Sequence, residues 1–271
     1  MSVKLLLVGG GKMGEAMLAG WLKNSLTPKD VIVVEPFEAT GKALADTYGV
    51  AVVTDAAALP DNLKPETIVL AVKPQMMDAA IGAYAQFNGP DCLFVSIAAG
   101  KTITYFEKHL GDNSAIVRAM PNTPAAVGRG ITVGCPNHHV TSAQRNWADE
   151  LLQAVGVVAW VDDEAQIDAV TALSGGGPAY VFLLVEVMAK AGVEAGLPEE
   201  LAMQLARTTV AGAGELLYQA SEEAATLRKN VTSPGGTTAE ALRVLMAEDA
   251  LQPLMTEAIA QATKRSRELA G

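Results

Sequence analysis

The chain has 271 residues, half of them apolar and 18% charged, which is ample for a buried core and excludes a disordered or fibrous protein. A net charge of −10 argues against a nucleic-acid binder, because affinity for a phosphate backbone rests on clustered Lys and Arg. Cys92 and Cys135 are far apart and lack partners at metal-ligand spacing, so neither a zinc site nor a disulfide framework is expected, and no metal is invoked.

From the N-terminus, "VKLLLVG" reads as a buried strand. Glycines end this apolar run too early for a signal-peptide core. It passes directly into "GGGKMG", where Gly9, Gly11 and Gly14 form a G-x-G-x-x-G arrangement opening a helix. In that setting Gly9 permits a tight turn, Gly11 lets the backbone approach a pyrophosphate, and Gly14 allows close packing of helix on strand. The helix N-terminus attracts the negative charge. Gly10, Lys12 and Met13 complete the loop and are expected to line the cofactor with it.

The next strand, "DVIVVE", ends on Glu35, about twenty residues past the loop, where an acidic side chain would bond adenosine ribose hydroxyls and repel a 2′-phosphate. A plain strand-end charge is the alternative. No Arg follows in the next few residues, which weakens the case for strict NADP use and leaves NADP or NAD as the expected cofactor.

"TIVLAV" and "CLFVSIA" are further buried strands. Ala71, Val72, Lys73 and Pro74 follow the first, and Ile97, Ala98 and Ala99 the second; small residues at such strand ends leave room for a nicotinamide ring. Lys73 either touches phosphate or sits solvated before a helix. After "AIVRAM", the Pro- and Gly-rich "PNTPAAVGRG" offers Asn122 and Thr123 as donors, or serves only as a turn. "VGVVAWV" closes a parallel sheet covered on both faces by helices.

The pattern then turns helical, with helices expected over 166–173, 178–195, 198–219, 222–229, 237–247 and 250–270. The expected division is a Rossmann-type dinucleotide-binding domain over 1–161 and an all-helical domain over 162–271. Between 179 and 191 apolar residues go all round the helix, the mark of a buried helix. The second domain is too small to bury several such helices alone, so a second copy of it is the economical cover. Glu186 and Lys190 interrupt the stretch, so a soluble cytoplasmic protein with no membrane span is expected. The basic residues near the end, Lys264, Arg265 and Arg267, read as a solvated helix face.

One stretch asks for more than a fold. "RKNVTSPGGTTAEALRVL" crowds Pro234, two glycines and two threonines before a helix, whereas a helix entry needs a single capping group. Together with "LAVKPQ", "VSIAAG", "RAMPNTPA", "LSGGGPAYVF" and "AGLP", this stretch resembles the pyrroline-5-carboxylate reductase family, in the family's order and along nearly the whole chain.

The resemblance implies hydride transfer from NAD(P)H to a cyclic imine carboxylate, giving L-proline. It places the substrate on Asn230, Ser233, Gly235, Gly236, Thr237 and Thr238. Backbone amides freed by Gly235 and Gly236 would hold the carboxylate, and Thr238 would act as the catalytic hydroxyl on the ring nitrogen. It also implies a homodimer through the helical domain, and dimers that gather into a decamer of five. Two positions depart from the family: Lys12, where Asn is common, and Gly176, where Ser is usual.

Two rivals are weighed. A β-hydroxyacid-dehydrogenase-like enzyme depends on a Lys one helical turn after a Gly-rich segment, where this chain has Val181. A non-catalytic dinucleotide-sensing module would have no reason to keep the 230–238 loop. His109, His138 and His139 lie outside every motif and are expected at the surface. No histidine acid or base is therefore invoked, and the proton is expected from solvent.

Overall fold

The computed structural model describes residues 2–270. Its contacts divide the chain into two compact units, one running to Gly175 and resuming at Ala262, the other spanning Gly176–Gln261. The boundary expected at 161/162 falls inside the first unit.

Among the described residues the first unit builds an eight-stranded sheet from β1 (Ser2–Val8), β2 (Val31–Val34), β3 (Ala51–Val53), β4 (Lys64–Leu70), β5 (Leu93–Ser96), β6 (Ala115–Met120), β7 (Gly130–Pro136) and β8 (Gly156–Trp160). Their spatial order is β3-β2-β1-β4-β5-β6-β7-β8. Because β1 lies between β2 and β4, successive crossovers leave it in opposite directions, which opens a crevice over its C-terminal end. The helices are α1 (Lys12–Asn24), α2 (Glu38–Tyr48), α3 (Met77–Ala80), α4 (Ile103–Leu110), α5 (Ser142–Gln153) and α6 (Gln166–Val170).

The sheet is buried on both faces, as its continuous apolar runs require. On one face Leu5 and Leu7 pack with Met17, Trp21, Val33 and Val95. On the other, Leu6 and Val8 join Ile32, Ile68, Phe94 and Phe106. Trp21, Phe94 and Phe106 are fully buried, each worth about 1.5–3 kcal/mol relative to exposure. The Trp21 indole N–H also donates to the Leu151 carbonyl at 2.8 Å.

Two corrections concern the sheet. β3 and β7 were not expected, and β7 runs antiparallel to β6, with Arg118 opposite Cys135, so the sheet is mixed. β7 escapes the strand pattern because Gly134 interrupts it. That glycine is needed for packing: a Cβ there would lie 2.7 Å from the Trp160 ring.

The second unit is helical: α7 (Gly177–Glu194), α8 (Glu199–Gln219), α9 (Ala224–Asn230), α10 (Thr237–Leu245) and the first half of α11 (Leu251–Ala270). Helices α7 and α8 pack through small residues, with Ala189, Ala202 and Ala206 buried and a Cβ at Gly192 reaching within 3.2 Å of Ala202. The larger apolar side chains turn outward. Phe182 is 63% exposed and Leu183 56%, and within one chain Ala189 is the buried residue of α7.

The expectation that charges cut this apolar stretch short also needs correction. By length and composition alone, Gln166–Glu194 is long and apolar enough to cross a membrane. Its exposed face requires cover of some kind.

The last turns of α11 belong to the first unit. Ser266 donates from its hydroxyl to Asp168 at 2.7 Å in a buried contact. The Leu269 carbonyl lies so near Gly100 that a Cβ there would come within 3.2 Å of it.

Candidate active site

The glycine loop joins β1 to α1. Gly9 has φ +101°, and a Cβ on it would sit 2.8 Å from the Ala71 carbonyl oxygen. A Cβ on Gly14 would come within 2.2 Å of the Gly9 carbonyl oxygen, so this glycine sets the closeness of α1 to the turn. A Cβ on Gly10 would strike Leu44 at 2.3 Å, whereas Gly11 faces open space.

Gly11 caps α1 without a side-chain bond, and the first helical bond runs from the Glu15 N–H to the Gly11 carbonyl at 2.8 Å. The amides of Lys12, Met13 and Gly14 precede it and have no intrahelical acceptor. Bare amides at the positive end of a helix, beside an unobstructed Gly11, fit a pyrophosphate. Lys12 is exposed in the first turn, and Met13 is half-buried.

Glu35 stands just past β2 but is no solvated charge. It is 4% exposed. Its Oε2 accepts the Gly10 N–H at 2.7 Å and its Oε1 accepts the Phe37 N–H at 2.9 Å. The carboxylate therefore pins the glycine loop to the start of α2.

Beside it lies a cavity of 340 Å³ over the ends of β1, β2 and β4, lined by Val8, Val34, Pro36, Ala56, Val72 and Met76 among others. Flat apolar walls with the Thr54 and Asp55 side chains at hand suit a heteroaromatic ring. Tyr84 also lines it, its phenol pushed up to about 12, mainly by burial and further by the Asp55 carboxylate, so it stays neutral. Apart from Val72, the sequence reading missed this wall. The signal that finds it is positional: these residues follow strand ends on either side of β1, where an open sheet binds its ligand.

Ala71 and Ile97 continue the strand ends, their amides donating to Val8 and Leu70 carbonyls at 2.8 and 3.1 Å. The Ala98 amide donates to Ser96 Oγ at 3.2 Å; Ala98 is buried, while Val72 and Ala99 are half-buried. Lys73 is exposed, and Pro74 begins a one-turn 3₁₀ segment. The Asn122 side chain is engaged at both ends: its Oδ1 accepts the Ile131 N–H at 3.0 Å and its Nδ2 donates to the Ser174 carbonyl at 3.2 Å. It binds the end of β6 to the π-helical turn Thr171–Gly175.

In the second unit, Asn230 ends α9, and the chain crosses a turn in which the Gly236 N–H donates to the Ser233 carbonyl at 3.0 Å. Pro234 in second place and Gly235 in third at φ +68° make a type II turn, whose third position requires positive φ. The Gly236 amide is therefore occupied by the Ser233 carbonyl, so any amides this glycine pair frees lie further on, in the first turn of α10.

The first bond of α10 runs from the Glu240 N–H to the Gly236 carbonyl at 3.3 Å. The amides left without an intrahelical acceptor are those of Thr237, Thr238 and Ala239. The helix cap is Gly236, with no side-chain cap bond. Neither threonine caps the helix, so capping does not account for them; Ser233, Thr237 and Thr238 are all exposed.

A protein-family model described as "Pyrroline-5-carboxylate reductase dimerisation" matches residues 164–269. Another, described as "NADP oxidoreductase coenzyme F420-dependent", matches residues 4–100. The pyrroline-5-carboxylate reductase of Pseudomonas aeruginosa is 39% identical over 268 residues, which cover 98% of this chain and 97% of that one. The chain belongs to the pyrroline-5-carboxylate reductase family.

Two solved structures of the family agree along their length. That of Coxiella burnetii superposes with a TM-score of 0.92 at 35% identity, covering 99% of each chain. That of Plasmodium falciparum, with NADP bound, gives 0.81 at 28% identity, covering 99% of this chain and 98% of that one. Family membership removes both rivals and makes the first unit an NAD(P)-binding domain. The stretch carrying the exposed face of α7 lies in the family's dimerisation domain.

The two departures from the family are placed as well. Lys12 is at the first position of α1, and Gly176 caps α7 at φ −80° and ψ −20°, a conformation open to any L-residue. Of the histidines, His138 is exposed, while His109 and His139 are half-buried.

Proposed function

We propose that the chain reduces the C=N bond of L-1-pyrroline-5-carboxylate to give L-proline. The observation that carries this reading is the bare N-terminus of α10, with three amides and two exposed threonine hydroxyls committed to nothing in the fold. NAD(P)H supplies the hydride. The amides of Thr237, Thr238 and Ala239 hold the substrate carboxylate at the positive end of the helix, with no Arg needed. Asn230, Ser233, Gly235 and Gly236 shape the loop around the ring.

The Thr238 hydroxyl bonds the ring nitrogen and orients the C=N bond. As hydride adds to the imine carbon, the π pair moves to nitrogen, and a proton from water completes the amine. In the first unit, the loop of Gly9, Gly10, Gly11, Lys12, Met13 and Gly14 holds the pyrophosphate. Glu35 faces the adenosine ribose, the 340 Å³ cavity takes the adenine, and Ala71, Val72, Lys73, Pro74, Ile97, Ala98 and Ala99 border the nicotinamide side. Asn122 serves this site as a brace for the β6 end, since its amide is spent on Ile131 and Ser174.

The exposed apolar face of α7 is covered by a second copy, and dimers gather into a decamer of five. A reducing cytoplasm suits its two free, buried cysteines. The test is direct: purified chain should oxidise NAD(P)H only when the cyclic imine is present, with L-proline as product. No turnover of that imine by folded, nucleotide-bound protein refutes the reading.

A further inference from the structure

We infer that Glu35 makes this chain prefer NADH, because its carboxylate, fixed in place by the Gly10 and Phe37 amides among further carboxylates, sets the local charge against a 2′-phosphate. The inference rests on the reading that the nucleotide is the hydride donor and concerns which nucleotide it is.

A 2′-phosphate brings about −1.5 to −2 charge and requires cations or free amides. The Gly10 and Phe37 amides at this position are both spent on Glu35, at 2.7 and 2.9 Å, and the uncapped first turn of α2 beside them carries the Glu38 carboxylate. The carboxylate is 4% exposed and held from two sides, so moving it away would break both bonds.

The surrounding charges point the same way. Phe37 caps α2, and Glu38 puts a second carboxylate in its first turn. Lys42 is the one basic residue of that helix, and its ammonium is on Asp46 at 2.8 Å. Across the adenine cavity, Asp55 adds another carboxylate. Ribose hydroxyls meet the opposite situation. A carboxylate has roughly four lone-pair sites, and two amides leave sites for a 2′- or 3′-hydroxyl to donate to.

The experiment compares NADH with NADPH on the full-length protein in two ways: kcat/KM with the cyclic imine, and dissociation constants of each reduced nucleotide without substrate, from their fluorescence. The wild type should favour NADH by about tenfold or more in both. Glu35→Ser should lower that ratio at least tenfold, equivalent to ~1.4 kcal/mol, chiefly through tighter NADPH binding. Glu35→Gln, which keeps the side-chain shape, should move it in the same direction and guards against a folding defect in the serine variant.

A wild type that binds NADPH as well as NADH overturns the inference. So does a pair of variants that weaken both nucleotides equally, since Glu35 would then only brace the loop. If the nucleotides bind but the imine is not reduced, the proposed reaction fails, and the binding ratio still decides the role of Glu35.

Discussion

Thr238→Ala separates chemistry from folding. Thr238 is the second residue of α10, exposed, and the cap is Gly236 without a side-chain bond, so the fold loses nothing with the hydroxyl. Ala is also the better helix former, by up to ~0.7 kcal/mol, so the melting temperature should hold or rise slightly. The proposed bond to the ring nitrogen strengthens as electrons arrive there. Its loss should therefore lower kcat as well as raise KM. A bond worth ~1–3 kcal/mol corresponds to roughly a tenfold to hundredfold loss in kcat/KM. Steady-state kinetics, a melting curve and an NADH titration on one preparation decide it. An unchanged kcat/KM refutes the assignment, and so does a loss that only follows a fall in melting temperature.

Gly14→Ala places a methyl 2.2 Å from the Gly9 carbonyl oxygen; the turn must yield, costing ~1–3 kcal/mol, and nucleotide affinity should fall with thermal stability, whereas unaltered binding would show the loop to be elastic. Light scattering should return a multiple of 28.1 kDa, because a monomer leaves Phe182, Leu183 and Val187 of α7 in water; a stable monomer at micromolar concentration counts against self-association. Burial pushes the thiols of Cys92 and Cys135 up to about 12 and about 11. Raised values keep both protonated below that range, so at pH 8 iodoacetamide should label the native protein far more slowly than the urea-unfolded one; equal rates would contradict their burial.

The sequence made the first, second, fourth, fifth, sixth and eighth strands legible because each carries a run of mostly branched or large apolar residues, which suits a sheet covered on both faces. β3 is three residues long, too short for periodicity to register. β7 carries a glycine for the sake of Trp160, a reason that exists only once the two strands are neighbours. At the loop before α10, residue types raised the expectation of a polar ligand. Which amides are free depends on a turn bond from Gly236 to Ser233 that no residue type encodes. Glu35 was legible as the acid that ends β2, which raised the expectation of a ribose contact, but not as the clasp between Gly10 and Phe37, which depends on how β2 and the loop approach each other. The cavity walls were silent because Ala, Val and Pro carry no chemical signature of their own.

The return of α11 gives the order of synthesis a physical meaning. A ribosome delivers the first 175 residues long before Ser266 emerges, and until then the Asp168 carboxylate lacks its hydroxyl partner and Gly100 lacks the backbone that lies over it. The nucleotide-binding unit is thus begun first and finished last, with the whole helical unit produced in between. Truncation just before Ser266 would leave every residue of the proposed substrate loop in place. It would instead damage the first unit, stranding a buried acid at a cost of ~1–3 kcal/mol, so the lesion should appear as weakened nucleotide retention.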